Sequence, residues 1–333
     1  MFTCLSGPIR IAQPIDAGEV RIPALTSFHN RILCFFDQRP APAHGSGRRF
    51  TGEVMASDLP NPNRIAYADI TAGFAGPQRY LLPEHSISSD ACVASSDGQT
   101  ITIAYSSVAE PVSYMSSRFA GPRLEPWIAY GDDLEQLTYQ RCDELYEETK
   151  ADAMFATSGS TIMIDDSVLI PYVMRRGSKT FVRVAHVRNG DIIALSEPVS
   201  HPHYQIDETS LAWETDKGVI LNARIQGFEG RGAGGRLVAY SEAGLGFSDL
   251  TYQTLPDPGC NAKALGNMLI HPHSFTRRDH GAIIDMASSE VLYDFGPEEF
   301  GYCDAVWHGD RLTVVAERNN ELWSWTLSLT SCA

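Results

Sequence analysis

Strand-length apolar runs recur along nearly the whole chain. "RILCFF", "ITIAYSS", "SVLIPYVM", "TFVRVAHV", "DIIAL", "GVILNARI", "GRLVAYS", "NMLIHPH", "GAIIDMA", "LTVVAE" and "LWSWTLSL" are short and rich in Val, Ile, Thr and aromatic residues, with Gly, Asn, Asp and Pro between them. That is the pattern of many short strands joined by tight turns. "VRNGDI" at 187–192 predicts a two-residue hairpin, and "SDGQT", "TDKGV" and "RNNEL" predict further turns. One segment departs from it: "DDLEQLTYQRCDELYEETKADAM", about 132–154, has a helical composition and enough charge for a surface excursion. No low-complexity linker divides the chain, so residues 1–333 read as a single all-β domain. A propeller and a large sandwich both accommodate this many strands at this length. "SSDGQTI" (95–101), "YGDDLEQLT" (130–138) and "YSEAGLGF" (240–247) each set an acidic or small polar turn after a strand, a weak repetition that favours the propeller.

Composition narrows the function classes. Of 333 residues, 43% are hydrophobic, enough for a large core, and 41 acids against 26 bases give a formal charge of -15. An acidic surface disfavours nucleic acid and anionic membranes, which require a surplus of Lys and Arg, so any anion must be met by a local cluster. No run of about 18 apolar residues predicts a membrane span. The start "MFTCLSGPIRIAQ" has none of the features of a signal peptide, so a cytoplasmic protein is expected from the chain as given, or a secreted one if an export signal has been trimmed. Seven scattered cysteines without CxxC spacing predict reduced thiols and no structural zinc.

The candidate chemistry lies in charges at unusual places. Arg21 opens "RIPAL", Arg224 ends "VILNAR", and Arg277 and Arg278 precede an apolar run in "SFTRRDHGAII". Each alone reads as a solvated strand-end arginine; together they ask for another explanation. Asp58 sits in the Pro- and Asn-rich "SDLPNPNRI", Glu208 beside Asp207 in "QIDETSLAW", and Glu317 inside the strand "VVAER", where an inward carboxylate requires a cationic partner. "FGYCDAV" puts Tyr302 where a buried strand normally carries an aliphatic residue. Other motifs fail their context tests. The two "HPH" triplets, His201–His203 and His271–His273, lack the spacing of a metal pair on a helix; "EGRGAGGR" (229–236) precedes a strand where a phosphate loop would precede a helix; "TSGST" lacks a nucleophile elbow.

"VRIPAL", "DQRP" followed by "SDLPNPNRI", "IDETSLAWETDKGVILNAR", "RRDHGAI" and "FGYCDAV" occur in the order and rough spacing of bacterial sialidases. From about residue 17 onward the chain resembles that family, and among its members the actinobacterial type. The resemblance implies a six-bladed β-propeller and an exo-acting glycosidase that removes terminal α-linked sialic acid with retention. It matches Arg21, Arg224 and either Arg278 or Arg277 to the family's carboxylate clamp, with Arg278 preferred. Asp58 matches the acid/base aspartate, with Asp37 as a competitor expected to be structural beside Arg39. Glu208 and Tyr302 match the base and nucleophile, Glu317 the support of the first arginine, and Asp90 and Arg39 contacts within the sugar site. Sialylated glycans are the implied partner, with no cofactor and no metal. A hydrolase of a Kdn-type acid, a trans-sialidase and a non-catalytic glycan-binding propeller are the alternatives. Two features depart from the family: the Ser-x-Asp-x-Gly-x-Thr-Trp turns are eroded, and Cys303 follows the tyrosine where serine is usual.

Physical chemistry makes this set coherent. Guanidiniums grip a carboxylate with charge-assisted, partly bidentate hydrogen bonds. A carboxylate nucleophile would approach a sugar that already carries one, at a repulsion of about 4 kcal/mol for 4 Å and an effective dielectric near 20. A neutral phenol avoids that penalty, and tyrosine is the known sialidase exception among retaining glycosidases. Preforming phenolate at neutral pH would cost roughly 4 kcal/mol, so a neighbouring glutamate should take the proton during attack.

Overall fold

The computed structural model describes residues 2–15, 18–41, 58–81, 87–96, 98–226 and 234–329. These residues form six sheets arranged as a β-propeller. Each blade is an antiparallel meander running outward from the axis. The first contains Glu19–Phe28, Arg31–Arg39, Arg64–Asp69 and Arg79–Tyr80. The second contains Ser88–Ser96, Thr100–Ser107, Glu125–Gly131 and Thr138–Arg141. In the third, an interrupted inner strand, Ala153–Ala156 and Ile162–Ile164, pairs with Ser167–Arg176, followed by Lys179–Arg188 and Asp191–Leu195. The fourth is Ile206–Glu214, Gly218–Ile225, Gly235–Ser241 and Thr251–Thr254. The fifth is Lys263–Leu265, Met268–Pro272, Gly281–Asp285 and Val291–Asp294. In the sixth, Cys303–His308, Arg311–Arg318 and Glu321–Leu329 are completed by the N-terminal strand Phe2–Ala12, which closes the ring by pairing with the last strand.

The burial gradient across each blade explains the hydrophobic pattern. Second strands such as Arg31–Arg39, Ser167–Arg176 and Gly218–Ile225 are buried along nearly their whole length, because a neighbouring blade covers each face. They therefore read as continuous apolar runs with no alternation. Outermost strands such as Thr138–Arg141 and Thr251–Thr254 are mostly exposed and polar. The core is a set of layers between blades: Phe35 and Tyr67 meet Val93 and Ile103, Val173 and Val184 meet Leu221 and Leu237, and Phe36 and Ala66 meet Val315 and Leu322.

The turns follow the sequence more closely than the one expected helix does. Asn189 and Gly190 both have positive φ, as the hairpin "VRNGDI" requires, and so do Asn319 and Asn320 in "RNNEL". The helix expected over about 132–154 is confined to Glu144–Thr149, between the strands Thr138–Arg141 and Ala153–Ala156. It is also not a surface excursion. Leu145 and Tyr146 are buried between the second and third blades, the Tyr146 hydroxyl donates to Leu124 O at 2.8 Å, and left-handed Lys150 ends the turn. The glycine-rich 229–233 lies outside the described residues.

Two buried charge clusters tie blades together. Asp304, on the inner strand of the sixth blade, accepts hydrogen bonds from Leu25 N at 2.6 Å and from Ser160 N and Oγ, both at 2.7 Å. Ser160 lies in Gly159–Ser160, which leaves the third blade to pair in parallel with the inner strand of the second. Farther out, Arg236 donates to Asp257 at 3.0 Å, to Cys260 O at 2.9 Å and to Asn222, with no exposed surface. Burial pushes the Asp257 carboxyl up, but Arg236 and His271 outweigh it and hold its pKa at about 2. Since that pKa is depressed in the fold, its stabilisation is complete above about pH 4 and disappears as pH falls through about 2. Asp257→Asn leaves Arg236 buried without its counter-ion. The expected loss is about 3–5 kcal/mol at neutral pH, measured by urea unfolding, and the difference from wild type should shrink toward pH 2.

Candidate active site

The inner strands of three blades carry a candidate site residue at the same place. Arg21 is the third residue of Glu19–Phe28, Asp90 the third of Ser88–Ser96, and Glu208 the third of Ile206–Glu214. Each strand also shifts register there, between Arg21 and Ala24, Ser89 and Cys92, and Ile206 and Thr209. Such bulges re-aim side chains that would otherwise follow the pleat. Two carry backbone strain: Asp90 has φ 63°, and Ile22 has φ 62°, a costly conformation for a β-branched residue. Tyr302 immediately precedes the inner strand of the sixth blade. The ends of second strands supply Arg39, Arg224 and Glu317, and the loop after Met268–Pro272 supplies Arg278. All these positions lie on one rim of the propeller, where first strands begin and second strands end.

Tyr302 is the meeting point. Its hydroxyl makes a short hydrogen bond to Glu208 Oε1, and Arg224 Nη1 donates to the same hydroxyl at 3.0 Å and to Glu208 Oε2 at 2.5 Å. The Arg21 and Arg278 guanidiniums each lie 5.1 Å from the centre of the Tyr302 ring. Burial and the charge of Glu208 raise the phenol pKa well above its ordinary value, against the pull of the arginines, so the hydroxyl is protonated. For Glu208, burial works upward, but Arg224 and the Tyr302 hydrogen bond win, and the carboxylate is ionised. The pair is a neutral phenol donating to a carboxylate. Beside it, burial and Glu208 push Asp207 up to about 7, and its Oδ2 is 3.8 Å from Arg224 Nη1.

The three arginines differ in what holds them. Arg21 donates from Nε at 3.1 Å and Nη2 at 3.4 Å to the two oxygens of Glu317. Glu317 also accepts from Ile22 N at 2.9 Å and Tyr302 N at 3.3 Å, so one carboxylate fixes an arginine, its strained neighbour and the nucleophile candidate. Gly301 allows this approach: a Cβ there would lie 2.7 Å from Glu317 Oε2. Arg224 is held by Glu208, but its Nε is buried without a hydrogen-bond partner. The Arg278 loop is pinned by Phe300 N donating to Arg278 O at 2.9 Å, and its half-buried guanidinium has no hydrogen bond or ion pair among the described residues. Arg277, the other expectation for this position, points away. Its side chain is 82% exposed and pairs with Asp279 at 3.3 Å. Both arginines lie in a bend between Met268–Pro272 and Gly281–Asp285, and of the two only Arg278 is turned toward the Tyr302 ring.

Asp58 lies across the rim. Its backbone carbonyl accepts from Asn61 N at 3.1 Å within the Pro- and Asn-rich turn, and its carboxylate accepts from Arg39 Nη1 at 2.5 Å. Its side chain is 82% exposed; desolvation by the nearby rim pulls its pKa up, but Arg39 and Arg21 outweigh this and keep it below the ordinary carboxylate range. Expected as a contact in the sugar site, Arg39 has no exposed surface. Its remaining donors go to Asp37 at 2.8 and 3.2 Å and to Ser89 at 3.4 Å, so it braces Asp58 from behind. Asp37 is fully buried and also accepts from Ser89 Oγ and, at 3.2 Å, from Asp90 N. Burial and Asp37 raise the Asp90 carboxyl well above its ordinary range. Ser89 and Asp304 are supports that sequence reasoning missed. The only signal was position: Ser89 precedes the rim residue Asp90, and Asp304 lies two residues after Tyr302.

No family model matches the chain, and no curated protein matches it. Solved structures do. Trypanosoma rangeli sialidase superposes with a TM-score of 0.69 at 13% identity over 99% of this chain and 59% of its own. The Hadza microbial sialidase Hz136 gives 0.73 at 13%, over 93% and 65%. The K499G mutant of NanB sialidase from Streptococcus pneumoniae gives 0.68 at 11%, over 97% and 70%. The chain spans about three fifths of the trypanosomal enzyme's length. The likeness is one of fold: this is a six-bladed propeller of the sialidase kind.

Gly301→Ala tests the central support. The added methyl should displace Glu317 and release Arg21, weakening binding of a small carboxylate probe by about 10- to 150-fold, the loss of one charge-assisted hydrogen bond. Isothermal titration checks the affinity and circular dichroism the fold.

Proposed function

We propose that the protein is an exo-sialidase that hydrolyses terminal α-linked sialic acid with retention, through a covalent intermediate on Tyr302. The observation that carries this reading is an arginine cluster on a short Tyr302–Glu208 hydrogen bond, with Arg278 unpaired among the described residues. In a chain of charge -15, a half-buried cation without a counter-ion calls for an anionic ligand. The substrate carboxylate binds Arg21, Arg224 and Arg278, which brings the anomeric carbon over the Tyr302 hydroxyl. Tyr302 attacks as Glu208 takes its proton; Asp58 protonates the leaving oxygen and then activates the water that releases the sugar. Among proteins of this fold, Trypanosoma rangeli sialidase has been captured with sialic acid and as a covalent intermediate with 2,3-difluorosialic acid.

Asp58 needs a proton for the first step, yet Arg39 and Arg21 hold it ionised in the free chain. Substrate relieves this in part, because its carboxylate neutralises Arg21 and excludes water. The free protein still carries the acid in its protonated form mainly at low pH. The expected kcat/KM profile therefore falls as pH rises from an acidic optimum, and a flat profile to pH 8 would remove Asp58 from the acid role.

The direct test is release of 4-methylumbelliferone from its sialoside. Glu208→Gln should lower kcat by about 10²- to 10⁴-fold, and Tyr302→Phe should abolish formation of a tyrosyl adduct with a 2,3-difluoro sugar in mass spectrometry. Arg278→Ala should raise KM by about 10- to 150-fold, as for loss of a charged hydrogen bond, while Arg277→Ala stays near wild type. Absence of turnover on sialosides and Kdn glycosides would overturn the enzyme reading and favour a glycan-binding propeller.

A further inference from the structure

The inner strand of the fourth blade begins at the arginine rim with Glu208 and ends at Glu214, roughly 20 Å away at ~3.3 Å per residue. The turn that follows lies on the opposite face of the propeller. There Trp213, Asp216, Lys217, Tyr240 and Glu242 line a depression of about 380 Å³. A second depression, of about 260 Å³, shares Lys217 and Tyr240 and reaches Gln253 and Asn267 between the fourth and fifth blades. Together they make one groove with Tyr240 as its dividing wall.

The lining is unusual for a bare sheet end. Trp213 is 45% exposed and Tyr240 38%. Asp216 and Glu242 are exposed and make no side-chain hydrogen bond or ion pair among the described residues. Lys217, the one cation of the first depression, is paired with Glu214 at 3.0 Å and lies 5.7 Å from the centre of the Tyr240 ring. Aromatic faces carry negative charge density and attract the weakly positive C–H faces of a sugar ring. Carboxylates accept strongly from hydroxyl donors. The same carboxylates repel an acidic sugar, and the paired lysine offers no net attraction to one. We propose that the Trp213–Tyr240 groove binds a neutral saccharide, with one ring stacked on Trp213 and its hydroxyls donating to Asp216 and Glu242. The second depression gives room for a following unit. Its ligand class complements the rim, which is built for an anion, so the two faces would hold different parts of a glycan or different glycans.

Saturation-transfer difference NMR with lactose, maltose, cellobiose and chitobiose tests this without reference to turnover. At least one disaccharide should receive saturation from the wild type and equally from Tyr302→Phe. Binding should weaken by about tenfold in Trp213→Ala, the loss of one stacking contact, and should fall in the double variant Asp216→Asn, Glu242→Gln. Trp213 is a surface residue away from the rim, so Trp213→Ala should keep the wild-type melting temperature and rim chemistry. No saturation of any of the four, or undiminished binding by Trp213→Ala, overturns the proposal. Displacement of the sugar signal only by a free sialic acid would place binding in the rim and overturn it as well; binding of a lysine-rich peptide without any disaccharide would assign the groove to a cationic partner instead.

Discussion

Three guanidiniums around one phenol repel each other, at roughly 4 kcal/mol for a pair at 4 Å and an effective dielectric near 20, and the rest of the rim is organised by that cost. Glu317 offsets Arg21, and Glu208 offsets Arg224. Behind Asp58, the Asp37–Arg39 pair does the same with no exposed atom on either side chain. Of the three around the phenol, only Arg278 makes no ion pair among the described residues, and its guanidinium sits beside Tyr302. The ion pairs are therefore less a source of net stability than a means of holding like charges together.

The propeller makes such an arrangement possible because equivalent positions of different blades converge at the axis. A side chain at the start of one inner strand faces those at the starts of the others, however far apart they are in sequence. Bulges at Arg21, Asp90 and Glu208 turn these side chains toward a common point. The strain at Ile22 is offset locally by the hydrogen bond from its N–H to Glu317. Asp304 performs the parallel task deeper in the ring, joining Leu25 and Ser160 across blades.

Much of this was legible in the residues. The apolar runs without alternation marked second strands buried on both faces, and "RNGD" and "RNNE" fixed their hairpins through residues that accept positive φ. An isolated Glu317 within an apolar strand announced its cationic partner. The segment 132–154 misled because its helical composition and charge suggested a surface excursion, while the order of the region depends on Leu145 and Tyr146 packing between two blades. Arg39, expected as a contact in the sugar site, is instead one of the most deeply buried side chains of the chain, with its donors taken up by Asp37, Asp58 and Ser89.

By itself, the sequence determined the strands, their turns and the kinds of side chain that could meet an anion, since local periodicity and residue chemistry are written at short range. Only the tertiary structure decided that Arg278 enters the rim and Arg277 does not, that Arg39 braces Asp58 from behind, and that Tyr302 donates to Glu208. Those outcomes depend on strand register, bulge position and contacts between blades, which bring together residues separated by up to almost the full length of the chain.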